Sequence, residues 1–172
     1  MDRKKFWGRV KSGERDFSGF DLSNSNFHTL DFTGCNFAGA NFSGCNLVDI
    51  IFHNANLEGA SFRGANLDGA SFYRSNVCQA IFDESILVRA HFTECKMDDT
   101  SFVEVELDLS EFYECSLRRS NWSGSGSSDM SMVDVDLTDA IGCVGDGPAC
   151  YGYCLRVITP SGRIFSNALD QD

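Results

Sequence analysis

The sequence predicts an all-β fold, a quadrilateral β-helix over residues 15–140, between a short helical cap at 1–14 and a non-repeat tail at 141–172. Three observations predict it. An apolar anchor recurs at every fifth residue from Phe17 to Trp122, and after a lapse at Ser127 the series resumes in register with Met132 and Leu137. Two places before each anchor stands a mostly small residue, such as Cys35, Ala40, Cys45, Ala55, Ala60, Ala65, Ala70 or Ser75. When the anchors are grouped at intervals of twenty residues, like falls on like. One column reads Phe32, Phe52, Phe72, Phe92, Phe112, the opposite one Phe42, Phe62, Phe82, Phe102, Trp122, and a third Leu47, Leu67, Leu87, Leu107.

A period of five excludes both regular elements in their plain forms. On an α-helix five residues advance about 500°, so the anchors would scatter around the cylinder. In an unbroken strand an odd spacing would send successive anchors to opposite faces. A short strand followed by a sharp corner satisfies the pattern, because the small residue and the anchor are two apart and point the same way. The chain then winds as a solenoid with anchors inside and polar residues outside. Identical side chains tend to stack in such coils, and three sides per coil would put Phe on Leu, so the sequence prefers four.

Residues 1–14 form the cap. Lys4 to Val10 is predicted as a short helix, with Phe6, Trp7 and Val10 covering the first coil, because an open solenoid end exposes apolar anchors and unpaired strand edges. The basic residues Arg3, Lys4, Lys5, Arg9 and Lys11 read as a solvated face. In the coils, glycine recurs two places after the anchor at Gly19, Gly34, Gly39, Gly44, Gly59, Gly64 and Gly69, where a corner calls for positive φ. In the second half those positions become Arg74, Gln79, Glu84, Arg89, Glu94, Asp99, Glu104, Leu109, Glu114 and Arg119, so corner geometry there is expected to differ or to be strained. The stretch Ser123-Gly124-Ser125-Gly126-Ser127-Ser128 is read as a slack side that keeps register, the alternative being a loop that leaves the coil and returns. Beyond Ile141 the repeat is lost. Leu155 to Thr159, then Pro160-Ser161-Gly162, then Arg163 to Phe165 read as a hairpin laid over the last coil as a lid.

Motifs such as Ala55-Asn56-Leu57-Glu58-Gly59 and Ala65-Asn66-Leu67-Asp68-Gly69 resemble the pentapeptide-repeat proteins, and the resemblance covers roughly three quarters of the chain. It implies a right-handed quadrilateral β-helix. It also implies a candidate role, since family members that protect DNA gyrase from quinolones are thought to present an acidic rod to the enzyme's DNA-binding saddle. Such members are typically dimers joined through a C-terminal helix. The tail here carries Gly142, Gly145, Gly147, Pro148, Gly152, Pro160 and Gly162, which cannot make one amphipathic helix.

Composition suits a single domain able to bury a core: 172 residues, 42% hydrophobic, 15 Phe and only 2 Pro. A net charge of -11 disfavours direct binding to nucleic acid or to an anionic membrane and leaves basic protein partners. No stretch approaches the roughly 18 apolar residues of a membrane-spanning helix, and the first residues carry charges without an apolar run, so a soluble, cytoplasmic protein is expected. Of the 8 cysteines, Cys35, Cys45, Cys95 and Cys115 fall in the small inward slot, where a free thiol acts as a compact hydrophobe. Cys95 and Cys115 stack about 4.8 Å apart, within reach of a disulfide but with parallel side chains, so reduced thiols are expected. The spacing of Cys143, Cys150 and Cys154 is not that of a CxxC zinc site and points to ordinary thiols or one tail disulfide.

No catalytic residue, metal site or cofactor is expected. His28, His53 and His91 fall in different columns, and the pairs Asp83-Glu84 and Asp98-Asp99 are expected to point into water. The acids instead crowd the second half. Under the square winding Glu94, Glu114 and Asp134 stack at one corner, and Glu84 stacks on Glu104. Like charges one rung apart repel, so such a ladder serves either solubility or a partner that offsets it. Glu84, Glu94, Glu104, Glu114 and Asp134 are therefore the candidate partner-binding residues. Two functional readings stand: a non-enzymatic scaffold for an unknown protein partner, monomeric or weakly dimeric, or an acidic DNA mimic that binds DNA gyrase. A further surface, Val48, Ile86, Val88 and Leu109, offers an apolar patch on one side, for a partner or for the tail to cover.

Overall fold

The computed structural model describes residues 3–143 and 153–166. From Asp16 onward each outward residue lies in parallel beside the one twenty places later: Asp16 bridges Asn36, Asn41 bridges Ser61, Asn46 bridges Asn66, Ser116 bridges Asp136. A five-residue repeat closing on itself after twenty has four sides. On one of them, here the Phe52 side, the backbone extends into strands β1 (Ile51–His53), β2 (Ser71–Tyr73), β3 (His91–Thr93), β4 (Glu111–Tyr113) and β5 (Ser131–Val133). They pair in parallel with Phe52 opposite Phe72, Phe72 opposite Phe92, Phe92 opposite Phe112 and Phe112 opposite Met132.

The anchors fill the interior, with Phe32 to Phe112, Phe42 to Trp122 and Leu47 to Leu107 all at most 1% exposed. Rings stack along each column: Phe42–Phe62 at 5.2 Å and 3°, Phe62–Phe82 at 4.8 Å and 6°, Phe102–Trp122 at 4.4 Å and 17°. Across the interior the two columns meet edge to face, as at Phe82–Phe92, 6.0 Å and 86°. Burying one such side chain contributes about 1.5–3 kcal/mol, and each favourable ring pair adds about 0.5–1.5 kcal/mol.

The polar residue before each anchor has a structural reason. The Asn56 side-chain amide donates to Asn36 at 3.0 Å and Asn76 donates to Asn56 at 3.2 Å, continuing from Asn36 to Asp16 at 2.9 Å. The same oxygens accept from the backbone two residues on, as Asn56 does from Glu58 N at 3.3 Å. Small slots tolerate a hydroxyl or thiol where it can donate to a carbonyl of the preceding coil: Ser75 Oγ to Phe52 O at 2.6 Å, Cys115 Sγ to Phe92 O at 3.4 Å. Ser85 Oγ, fully buried, has no hydrogen-bond partner.

Corners do not change between the halves. Gly64 and Glu84 each donate their backbone N–H to the next coil at 2.9 Å, to Asp83 O and Val103 O. Gly59, Gly64 and Gly69 have φ of 65°, 62° and 68°, and Arg74, Gln79 and Leu109 have 53°, 61° and 60°. The alternative of a different corner geometry is thus corrected, and strain remains: rung-to-rung hydrogen bonding imposes the left-handed corner on every residue type, at roughly 1–2 kcal/mol for an L-residue other than glycine.

Helix α1 (Arg3–Lys11) closes the first coil. Its Phe6 is fully buried, 4.7 Å from the Phe17 ring and 5.2 Å from Phe27. Arg9 lies 5.0 Å over the Phe20 ring and donates from Nε to Glu14 at 2.6 Å. At the lapse the coil keeps register, with Gly126 bridging Glu106 and Leu107 N bonding Gly126 O at 3.0 Å. Met130, fully buried in a small slot, brings side-chain volume to the coil where Ser127 supplies none.

The tail carries the expected hairpin and, before it, one more piece of coil. Strand β6 (Cys154–Leu155) joins the Phe52 side as its sixth strand, with Cys154 opposite Met132, 22 residues earlier rather than twenty. Arg156 then takes the corner at φ 50°, and Ile158 bridges Asp136. Only β7 (Val157–Ile158) and β8 (Ile164–Phe165) pair as an antiparallel hairpin. The expected hairpin is thus present, its paired residues inside the arms Leu155 to Thr159 and Arg163 to Phe165; the residues leading into it continue the coil, because Cys154 and Val157 are apolar, inward and fully buried even though the period has slipped by two.

Candidate partner-binding surface

Outward residues on the Phe52 side come from three positions of each rung: one before the anchor, one after it, and the corner. The corner column reads Asn54, Arg74, Glu94, Glu114, Asp134, Arg156, all at positive φ. Glu94, Glu114 and Asp134 therefore stack, but the stack is closed by arginines at both ends. Arg74 Nε donates to Glu94 at 2.7 Å, and Arg156 grips Asp134 with both Nε and a terminal nitrogen. These guanidiniums hold the Glu94 and Asp134 carboxyls below their ordinary values, chiefly by hydrogen bonding. Glu114 has no arginine against it among the described residues. Its carboxylate instead holds the neighbouring Tyr113 phenol above its ordinary value.

On the neighbouring corner Glu84 and Glu104 stack as expected, at φ 61° and 57°. Arg63, from the coil before, donates to Glu84 at 2.6 Å, and Glu104 leans over Gly124, its Cγ 3.1 Å from where a Cβ would stand. Sequence reasoning missed these arginines because each pairs with an acid about one coil away, a neighbour visible only once the twenty-residue offset is applied to the polar positions too.

The adjacent acid pairs are not simply solvated, which corrects the expectation that they point into water. Asp83 Oδ1 accepts from Ser101 Oγ at 2.5 Å and Val103 N at 3.2 Å. Asp98 accepts from Ser116 Oγ and from Arg118 N at 3.2 Å, while Asp99 pairs with Arg119 at 2.7 Å. Three of these four carboxylates thus tie one coil to the next, and the fourth, Glu84, to the coil before.

The histidines stay apart. His91 Nδ1 lies 3.0 Å from Glu111, and His53 Nε2 lies 2.9 Å from Ser71 Oγ. Among the described residues no group of three or more His, Cys, Asp and Glu is placed to hold a metal ion. Cys35, Cys45, Cys95 and Cys115 are buried free thiols. Burial pushes the Cys35 thiol up to about 11, and the neighbouring Cys95 thiol together with burial holds Cys115 above its ordinary value. Cys143 is half-buried and Cys154 buried, while Cys150 lies outside the described residues. Val48, Ile86 and Val88 are half-buried and Leu109 is 52% exposed.

The model of the pentapeptide repeat region matches residues 13–82 and 62–140. The chain belongs to the pentapeptide-repeat family. Solved structures of similar fold include QnrB1, a plasmid-mediated fluoroquinolone resistance protein, at 21% identity and a TM-score of 0.58, covering 83% of this chain and 81% of that one. HetL, a pentapeptide-repeat protein involved in heterocyst differentiation regulation from the cyanobacterium Nostoc sp. strain PCC 7120, matches at 16% identity, 96% and 100% coverage, and a TM-score of 0.32. A pentapeptide-repeat protein of the Arabidopsis thaliana thylakoid lumen matches at 22% identity with a TM-score of 0.46; the match covers 60% of this chain and only 65% of that one. No curated protein matches the sequence. Among the described residues no helix is long and apolar enough to cross a membrane.

Proposed function

We propose that this pentapeptide-repeat protein is a non-enzymatic, soluble, cytoplasmic scaffold, monomeric or weakly dimeric, that holds a rigid surface to a protein partner. The observation that carries this reading is the division of labour in the repeat. Inward positions are packed with stacked rings and aliphatic side chains, while outward positions stand on a grid set by the rung spacing and are tied coil to coil by side-chain bonds such as Asn56 to Asn36 and Arg119 to Asp99. A surface of this kind binds without reorganising, which lowers the cost of association. The net charge of -11 favours a basic protein over nucleic acid. The test is affinity capture with the full chain, comparing wild type with the double change Glu94→Lys/Glu114→Lys. A partner held by the wild type and lost by the variant supports an acidic docking face; failure to retain any partner after cross-linking counts against the scaffold.

The regular acidic corner favours a second reading, an acidic DNA mimic that binds a type II topoisomerase such as DNA gyrase and modulates it or protects it from quinolones. Glu84, Glu94, Glu104, Glu114 and Asp134 would stand in for phosphates. Arg63, Arg74 and Arg156 offset three of those five charges, which is why this reading is second. A supercoiling assay with added protein, with and without a quinolone, decides it; no effect at micromolar protein retires it.

A further inference from the structure

One rung of the Phe52 side shows how this surface holds a cation. The Arg74 guanidinium lies 4.8 Å over the Tyr73 ring and donates to the Glu94 carboxylate of the next coil at 2.7 Å. A ring face and a carboxylate together receive a planar cation, the ring through its quadrupole and the acid through a charge-assisted hydrogen bond. Two coils further on the rung keeps its two rings and changes both flanking positions, from Ser71 to Glu111 and from Arg74 to Glu114. Tyr113 stands where Tyr73 stood, and the corner beside it is Glu114 instead of arginine. Glu111, on the same strand and on the other side of Phe112, lies 3.0 Å from His91 Nδ1 and still leaves 60% of its side chain exposed, and Tyr113 is 44% exposed. The rung thus presents an exposed aromatic ring flanked by two carboxylates, where the equivalent rung below holds a guanidinium of its own.

We infer that Glu111, Tyr113 and Glu114 form a docking point for an arginine side chain carried by an extended segment of a partner protein. This rests on the scaffold reading and names the chemistry of its partner. The setting suits an extended segment, because the outward residues of β3, β4 and β5 lie side by side in parallel register on the Phe52 side, and the chain's charge of -11 complements a cationic one. Arginine is favoured over lysine because the planar guanidinium can stack on the ring while its edge donates to both flanking acids.

The probe is a short Gly/Ser peptide with two arginines, titrated into the full-length protein and followed by the NMR resonances of the Tyr113 ring. Parallel titrations use the same peptide with lysine, and with citrulline, which keeps the shape and loses the charge. Saturable shifts with arginine, weaker ones with lysine and none with citrulline are expected. Tyr113→Ala should weaken arginine-peptide affinity about two- to fivefold and Tyr113→Phe should restore most of it; Glu114→Gln should weaken it too, while Glu58→Gln on the Leu57 side, the same change in charge, should leave it unaltered. Equal weakening by Glu58→Gln, or shifts as large with citrulline, overturns the docking point in favour of diffuse attraction or adventitious contact. Affinity capture separates this inference from the reading beneath it: a partner retained equally by wild type and Tyr113→Ala keeps the scaffold and sinks the arginine site.

Discussion

Thr29 occupies a corner at φ 59° and is the only β-branched residue among the non-glycine corners described. Replacing it with glycine should stabilise the protein. The left-handed conformation costs an L-residue roughly 1–2 kcal/mol, and β-branching places threonine at the unfavourable end. Against this, glycine loses about 0.5–1 kcal/mol more backbone entropy on folding. The Thr29 hydroxyl bonds its neighbour His28, at O (2.7 Å) and Nδ1 (3.5 Å), in an exposed position, so water replaces it. The rung bond from Thr29 N to Val48 O, 2.8 Å, is a backbone bond and survives. The balance is a gain of about 0.5–1 kcal/mol, or a rise in Tm of about 1–4 °C for a chain of this size. Urea unfolding with an unchanged m-value is the assay. Gly59→Thr is the mirror experiment, because a Cβ there meets nothing within 4 Å and the loss reports the same balance of φ against backbone entropy with the sign reversed. If Thr29→Gly lowers the midpoint while Gly59→Thr leaves it where it was, the corners are not strained and the reasoning fails.

Ser85→Ala should raise stability by about 1 kcal/mol, since it removes a buried hydroxyl without a partner, whereas Ser110→Ala, which loses the 2.7 Å bond to Leu107 O, should not; equal effects in chemical denaturation would contradict this. Gly142→Ala should destabilise by about 2–4 kcal/mol, because φ is 78° and a Cβ would lie 2.3 Å from Ser123 N and 2.7 Å from the carbonyl carbon of Trp122. Fluorescence of the buried Trp122 during unfolding checks it. In acid, Glu94, Asp99 and Asp134 have folded values below the ordinary 4.5 and 3.8 because of their arginines. Their contribution is therefore complete above those ordinary values and is lost as pH falls through the lower folded ones. The urea midpoint should hold down to about pH 5 and then decline, less steeply in Glu94→Gln/Asp134→Asn; a double variant with the same slope as wild type would remove these pairs from the account.

The coil was legible because side-chain identity and geometry share a period. Phe on Phe at twenty residues identified the square before any coordinate, and the ring stacks realise it. What the period could not show lies in positions that obey other constraints. Corner residues such as Arg74 and Leu109 carry no signature of positive φ, since the conformation is imposed by the N–H bond to the next coil and not by the residue. Cys154 sits in the anchor column after a two-residue slip, so a search at five loses the coil where the chain does not. The acidic surface was legible as composition; the pairing of Glu94 with Arg74 and of Asp134 with Arg156 was not, because it depends on which corners stack.

A parallel stack has no natural length: each coil offers the next a row of unsatisfied amides and carbonyls, and would accept a stranger's strand as readily as its own. By turning back at Pro160-Ser161-Gly162 and pairing β8 against β7 in the reverse sense, this chain changes the direction of its last β partner. On that side a further coil wound in the parallel sense would meet a strand running the opposite way instead of a matching rung, which disfavours end-to-end stacking of copies.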